Sequence, residues 1–72
     1  MDQAYMSLEE VLGILFPKSF VRKLYKIMES PTEELLTIKH YGVTRVVFWE
    51  PTKGLLSVST DGRATISIQR EA

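Results

Sequence analysis

The sequence predicts a single α+β domain, in which two or three short N-terminal helices pack on one face of a three-stranded antiparallel meander. Three observations predict this class. The chain has 72 residues, the length of one domain, and no repeat or linker divides residues 1–72. Helix-start signals and apolar residues at helical spacing occupy the first part of the chain. From Val43 to Gln69, apolar and polar residues alternate between turn signals, which indicates strands.

Composition argues against several function classes. Nine basic and nine acidic residues give zero formal net charge, without the basic excess typical of nucleic-acid-binding domains. The chain has no cysteine and one histidine, His40, so we predict no disulfide, no metal site and no cofactor. No apolar run reaches the length of a membrane span, and residues 1–4 lack the basic region of a secretory signal. These features predict a cytoplasmic protein.

Two helices are predicted in the first 29 residues. The sequence SLEE at residues 7–10 is a capping box that starts the first helix, and Pro17 ends that helix near Phe16. The second helix covers about residues 18–29, with apolar residues on one face. Its opposite face carries four cations, which we call the basic stripe: Lys18, Arg22, Lys23 and Lys26.

Residues 30–41 allow two predictions. The sequence SPTE at residues 30–33 places a capping serine, a first-turn proline and a glutamate in order, which favours a third helix over 31–41. Gly42 suits the end of that helix. Alternation of Leu36, Ile38 and His40 also fits a strand over 36–41, which would give the sheet a fourth strand. The helix is the preferred prediction.

Matching apolar residues across the strands predicts the two faces of the sheet. The predicted strands are Thr44–Trp49, Leu55–Thr60 and Arg63–Ile68, with a turn at 50–54. The predicted pairs are Trp49–Leu55, Phe48–Leu56, Val46–Val58, Ser59–Arg63, Val58–Ala64 and Leu56–Ile66. In the second hairpin a three-residue loop over 60–62 keeps the faces consistent and puts Gly62 in the left-handed region.

This register places Val47, Trp49 and Leu55 together on the outer face, where the core does not need them. The predicted inner face, covered by the helices, consists of Val46, Phe48, Leu56, Val58, Ala64, Ile66 and Ile68. Tryptophan is enriched at binding hot spots, and a core of this size contributes only about 3–5 kcal/mol of net stability. We therefore predict a protein interface at these three residues. The alternatives are a stabilising cross-strand pair, or cover by a segment that includes Tyr5 and Met6.

Two groups of cations could contact an anion or nucleic acid. The basic stripe is typical of a solvated helix face, and contact with phosphate or an acidic protein is the alternative. In the predicted register Arg45, Ser59 and Arg63 form one outer row that could hold a carboxylate or other anion, although such a row is also typical of a solvated sheet end. The predicted contacts are Lys18, Arg22, Lys23, Lys26, Arg45 and Arg63.

Catalysis is not expected from this sequence. A nucleophilic triad would need a serine and an acid to converge on His40, and no nucleophile-elbow motif is present. The adjacent acids at residues 9–10 and 33–34 diverge on a helix, and they suit helix starts, where carboxylates stabilise the helix dipole.

Two functional hypotheses follow. The first is a non-enzymatic protein-interaction or regulatory module that self-associates, or joins a larger assembly, through the outer sheet face around Trp49. The second is a DNA-binding regulator of winged-helix type, since helices followed by a hairpin are the order of that fold. It would use helix 31–41, a wing at 50–54 or the basic helix 18–29. Glu33 and Glu34 at the start of the recognition helix argue against it, because they would meet phosphates.

Overall fold

Two helices precede a four-stranded antiparallel sheet in the computed structural model, which describes residues 8–70. The elements are α1 (Leu8–Leu15), α2 (Lys18–Ile27), β1 (Glu34–His40), β2 (Val43–Glu50), β3 (Leu55–Thr60) and β4 (Thr65–Gln69). The strand order is β1-β2-β3-β4, so each strand pairs with its neighbour in sequence. The α+β class is confirmed, whereas the predicted three strands become four. No helix within residues 8–70 is long and apolar enough to cross a membrane.

Pro17 separates the helices as the sequence predicts. It adopts an extended conformation, with φ −60° and ψ 149°, between the end of α1 and the start of α2. Its carbonyl oxygen accepts hydrogen bonds from the backbone N–H groups of Phe20 and Val21, both at 3.0 Å. Helix α2 ends at Ile27, two residues before the predicted end. The predicted capping serine, Ser7, and the proposed cover from Tyr5 and Met6 lie outside the described residues.

The predicted third helix is wrong, because Glu34–His40 forms strand β1. Ser30 Oγ accepts a hydrogen bond from the Thr32 N–H at 3.2 Å and donates one to the Glu34 carboxylate at 2.8 Å. These bonds stabilise a turn as well as they would start a helix. All seven residues of β1 then pair with β2, and this pairing outweighs the local helix signal. Without a helix over 31–41, the winged-helix arrangement is not confirmed.

The predicted register of the first hairpin is wrong by one residue. Trp49 pairs with Leu56, and Glu50 pairs with Leu55, because the connecting loop has four residues, 51–54, rather than five. A one-residue slip turns a whole strand over. Val47 therefore faces the helices, on the side that we call the inner face, and the predicted inner residue Val46 lies on the opposite, outer face.

The second hairpin is shifted by two residues from its predicted register. Val58 pairs with Ile66 rather than Ala64, and the innermost pair is Ser59 with Thr65. A shift of two residues keeps side chains on the same face, so the predicted faces of β3 and β4 are correct. The left-handed conformation predicted for Gly62 is confirmed by its φ of +73°.

The core lies between the two helices and the inner face of the sheet. Its fully buried side chains are Leu12, Phe20, Leu24, Val47, Leu56 and Val58. Trp49 closes one end of this core with 4% of its surface exposed, and its indole N–H donates a hydrogen bond of 3.0 Å to the Ser30 carbonyl oxygen. This bond ties the turn before β1 to β2.

Adjacent valines provide a direct test of the observed register. Val47 is fully buried, whereas Val46 is 39% exposed. We expect Val47→Ala to lower the free energy of unfolding by about 2 kcal/mol, since it deletes two buried methyl groups and leaves a cavity. Val46→Ala should change it by less than about 0.5 kcal/mol. Urea denaturation of dilute, monomeric protein measures both, and the reverse ranking would support the register that the sequence predicts.

Candidate functional site

The residues of the predicted interface do not lie on one surface. Val47 is fully buried and Trp49 nearly so, both within the core. The only polar atom of the Trp49 side chain is already bonded to Ser30. Leu55 does lie on the outer face, opposite Glu50, and it is partly exposed. The predicted exposure of Val47 and Trp49 is therefore wrong, and so is the alternative of a Trp49–Leu55 cross-strand pair.

A different apolar group occupies the outer face. Leu35 of β1 is 70% exposed and lies beside Phe48 of β2 in the register, while Val46 is 39% exposed. Phe48 and Leu55 are partly exposed. We call Leu35, Val46, Phe48 and Leu55 the outer apolar cluster. Both helices pack on the inner face, so no second layer formed by the described residues covers this cluster.

The other half of the outer face is built from hydroxyl side chains. Ser59 and Thr65 are hydrogen-bonded across β3 and β4 at 2.8 Å, and Ser57 and Ser67 form a longer pair at 3.4 Å. These groups are uncharged and satisfy one another across the strands. The outer face therefore carries three of its four apolar side chains on β1 and β2, with Leu55 at the end of β3, and its hydroxyl pairs on β3 and β4.

The predicted row of Arg45, Ser59 and Arg63 does not form. Arg45 lies on the inner face, where its guanidinium carbon is 4.6 Å from the ring centroid of Phe20 and 5.5 Å from that of Phe16. Such stacking is a cation–π interaction. Its Nε and one terminal nitrogen are buried without a hydrogen-bond partner among residues 8–70. Arg45 thus contributes to the end of the core rather than to an outer anion row.

A serine does converge on His40, although the sequence does not predict this contact. Ser19 Oγ lies 2.7 Å from His40 Nε2, and the imidazole packs edge-on against Tyr41. Ser19 lies in the first turn of α2, and His40 ends β1, 21 residues away in the chain, so the sequence spacing does not predict the contact. Within the described part of the chain no carboxylate bonds to the other ring nitrogen. Among residues 8–70 the pair thus has no acid that would orient the imidazole for nucleophilic catalysis.

The basic stripe lies on the solvent side of α2, as predicted. All four of its side chains are exposed, and no ion pair joins them to another residue between 8 and 70. Glu9 and Lys18 line the same shallow depression of about 370 Å³, so the surface beside the stripe is not uniformly positive. Contact with nucleic acid or an acidic partner stays a prediction.

Tyr25 carries a buried polar group that the sequence did not reveal. Its hydroxyl has no hydrogen-bond partner among the described residues. Burial, and secondarily the negative charge of Glu9, raise the pKa of Tyr25 above its ordinary value of 10.0, while Arg70 acts in the opposite direction.

No group of three or more metal-ligating side chains comes together within residues 8–70. No protein-family model matches the chain, and no curated protein or solved structure is significantly similar to it. Function is therefore inferred from the geometry alone.

The Tyr25 hydroxyl predicts a loss of stability at alkaline pH. A raised folded-state pKa means that the unfolded chain releases the proton first, so stability is complete below about pH 10 and falls above it. We expect Tyr25→Phe to be at least as stable as wild type near neutrality, because it removes an unpartnered buried hydroxyl, and to lose less stability above about pH 10. Urea unfolding between about pH 8 and pH 11 measures this.

Tyr41→Phe is the matched control, since Tyr41 is 87% exposed. This substitution should leave the loss of stability at alkaline pH the same as in wild type. An equal decline in Tyr25→Phe and wild type would show that the hydroxyl of Tyr25 is solvated.

Proposed function

We propose that this protein is a small non-enzymatic protein-interaction module that self-associates through the outer face of its sheet. The outer apolar cluster carries the proposal. Antiparallel sheets that face water usually present polar side chains on that side. Here Leu35, Val46 and Phe48 lie together on the side opposite the helices. A contiguous apolar group of this kind is typical of a binding surface.

The size of the domain supports the same proposal. A 72-residue chain buries a smaller fraction of its surface on folding than a larger domain does, and such chains commonly gain stability from disulfides, metals or oligomerisation. The sequence has no cysteine. Burial of the outer apolar cluster against another protein would add a second hydrophobic layer to the sheet.

The proposed surface is still the sheet face opposite the helices, but different residues form it. Of the predicted set only Leu55 remains, because Val47 and Trp49 belong to the core. Leu35, Val46 and Phe48 take their place.

Two equally exposed apolar residues test this surface. Leu35 in the outer apolar cluster is 70% exposed, and Ile14 on α1 is 69% exposed. We expect Leu35→Asp to weaken association at least tenfold, because a carboxylate would be buried without a partner, and Ile14→Asp to leave association unchanged. Light scattering coupled to size exclusion, over a dilution series, measures the oligomeric state. A monomeric wild type, or equal effects of the two substitutions, would contradict the proposal.

Nucleic-acid binding is the second candidate, favoured only by the exposed basic stripe. If the stripe binds duplex DNA, affinity should fall steeply between about 50 and 200 mM salt, and replacing Lys23 and Lys26 with glutamine should weaken it and flatten its salt dependence. Fluorescence anisotropy with a labelled duplex measures both. We expect no detectable binding even at low salt, and salt-dependent binding would favour this candidate.

A further inference from the structure

The outer face has the features of a surface that binds its own copy, and we infer that two protomers stack face to face about a two-fold axis that crosses the strands. The inference rests on the proposed function and specifies its partner and geometry. The product would be a sandwich of two four-stranded sheets with the helices outside. Such sheets pack about 10 Å apart with their strands nearly aligned.

The register arranges the outer face in rows that run across the strands. The two middle rows are Thr37–Val46–Ser59–Thr65 and Leu35–Phe48–Ser57–Ser67. Lys39 and Thr44 lie beyond the first of these rows, and Glu50, Leu55 and Gln69 lie beyond the second.

The uneven composition of the face selects the direction of the axis. An axis parallel to the strands would place β1 over β4 of the partner subunit, so that apolar side chains meet hydroxyl groups. An axis across the strands places each strand over its own copy, so that Val46 and Phe48 of β2 meet the same residues of the partner and the hydroxyl side chains of β3 and β4 meet their own copies. The second arrangement packs apolar side chains of one protomer against apolar side chains of the other, whereas the first would bury hydroxyl groups against apolar side chains.

This axis passes between the two middle rows, so Val46 faces the partner's Phe48. A shallow groove of about 370 Å³ lies beside Val46, with Ser59 and Asp61 in its wall. The aromatic ring of the partner's Phe48 would enter this groove, and by symmetry Phe48 would enter the partner's groove. An aromatic side chain in a complementary pocket is the usual anchor of an interface.

Charges at the rim agree with the same axis. Lys39 lies at one end of β1, and Glu33 immediately precedes the other end, where an extension of the strand's alternation would put it on the same side as Leu35. Neither makes an ion pair within residues 8–70, whereas Glu50 already pairs with Lys53 at 3.3 Å. The proposed axis sets Lys39 against the partner's Glu33. The axis along the strands would instead bring Lys39 near the partner's Arg63, where like charges repel.

The available area predicts a weak dimer. Four strands about 4.8 Å apart and about six residues long give the face roughly 400 Å² in projection. Stable complexes bury about 800 Å² of accessible surface on each partner. Because side chains protrude from the sheet, the accessible surface of the face is larger than its projected area. The interface is therefore at the small end of the range, and we expect a dissociation constant on the order of micromolar.

Charge reversal tests the axis. We expect Lys39→Glu and Glu33→Lys each to raise the dissociation constant about tenfold at low ionic strength, because each replaces two attractions by two repulsions. The double variant should return to within about threefold of wild type, since it restores opposite charges across the interface. Sedimentation velocity over a dilution series measures all four proteins. Both positions are exposed in the monomer, and circular dichroism confirms that each variant is folded.

The outcomes separate this inference from the proposed function. If Leu35→Asp dissociates the dimer but the double charge variant shows no rescue, the face is correct and the axis is overturned. If wild type is a monomer, or if Leu35→Asp has no effect, the proposed function and the inference fail together.

Discussion

The four-residue loop between β2 and β3 fixes which side chains build the core. It closes with Glu50 opposite Leu55, and the N–H of Gly54 donates to the Pro51 carbonyl oxygen at 3.2 Å. Gly54 has a φ of +63°, and a Cβ at this position would lie 2.9 Å from the Arg70 carbonyl oxygen. The Arg70 N–H in turn donates to the Gly54 carbonyl oxygen at 2.7 Å. Glycine therefore satisfies both the turn and the close approach of the chain after β4.

The length of this loop decides which face of the sheet each β2 side chain occupies. With this loop Trp49 faces the helices and bonds to the turn before β1, while Arg45 stacks on Phe16 and Phe20 at the other end of the core. A loop longer by one residue would turn the strand over. It would bring Phe48 inside and expose Trp49. The candidate binding surface is thus a consequence of the same constraint as the core, because side chains excluded from one face are presented on the other.

The sequence predicted the elements better than their pairing. Both helices, the break at Pro17, the common face of β3 and β4 and the conformation of Gly62 are found as expected. The prediction of a third helix was wrong because the turn motif at residues 30–33 also fits a helix start. Pairing along the whole of β1 favours the strand over the helix. The prediction of the interface residues was wrong because residues 46–49 are apolar at every position. Alternation therefore does not reveal which side of β2 faces the core.

The sequence by itself determined the class of the domain, the exposed basic stripe and the apolar run at residues 46–49, which puts apolar side chains on both faces of β2. Only the tertiary structure decided which of those side chains face the core. It also brought Ser19 to His40 and buried the Tyr25 hydroxyl. The physical reason is that strand pairing and helix–sheet packing join residues far apart in the chain. When a strand is apolar on both faces, its sequence does not reveal which face is buried. The length of the adjoining loop and the position of the covering helices decide it.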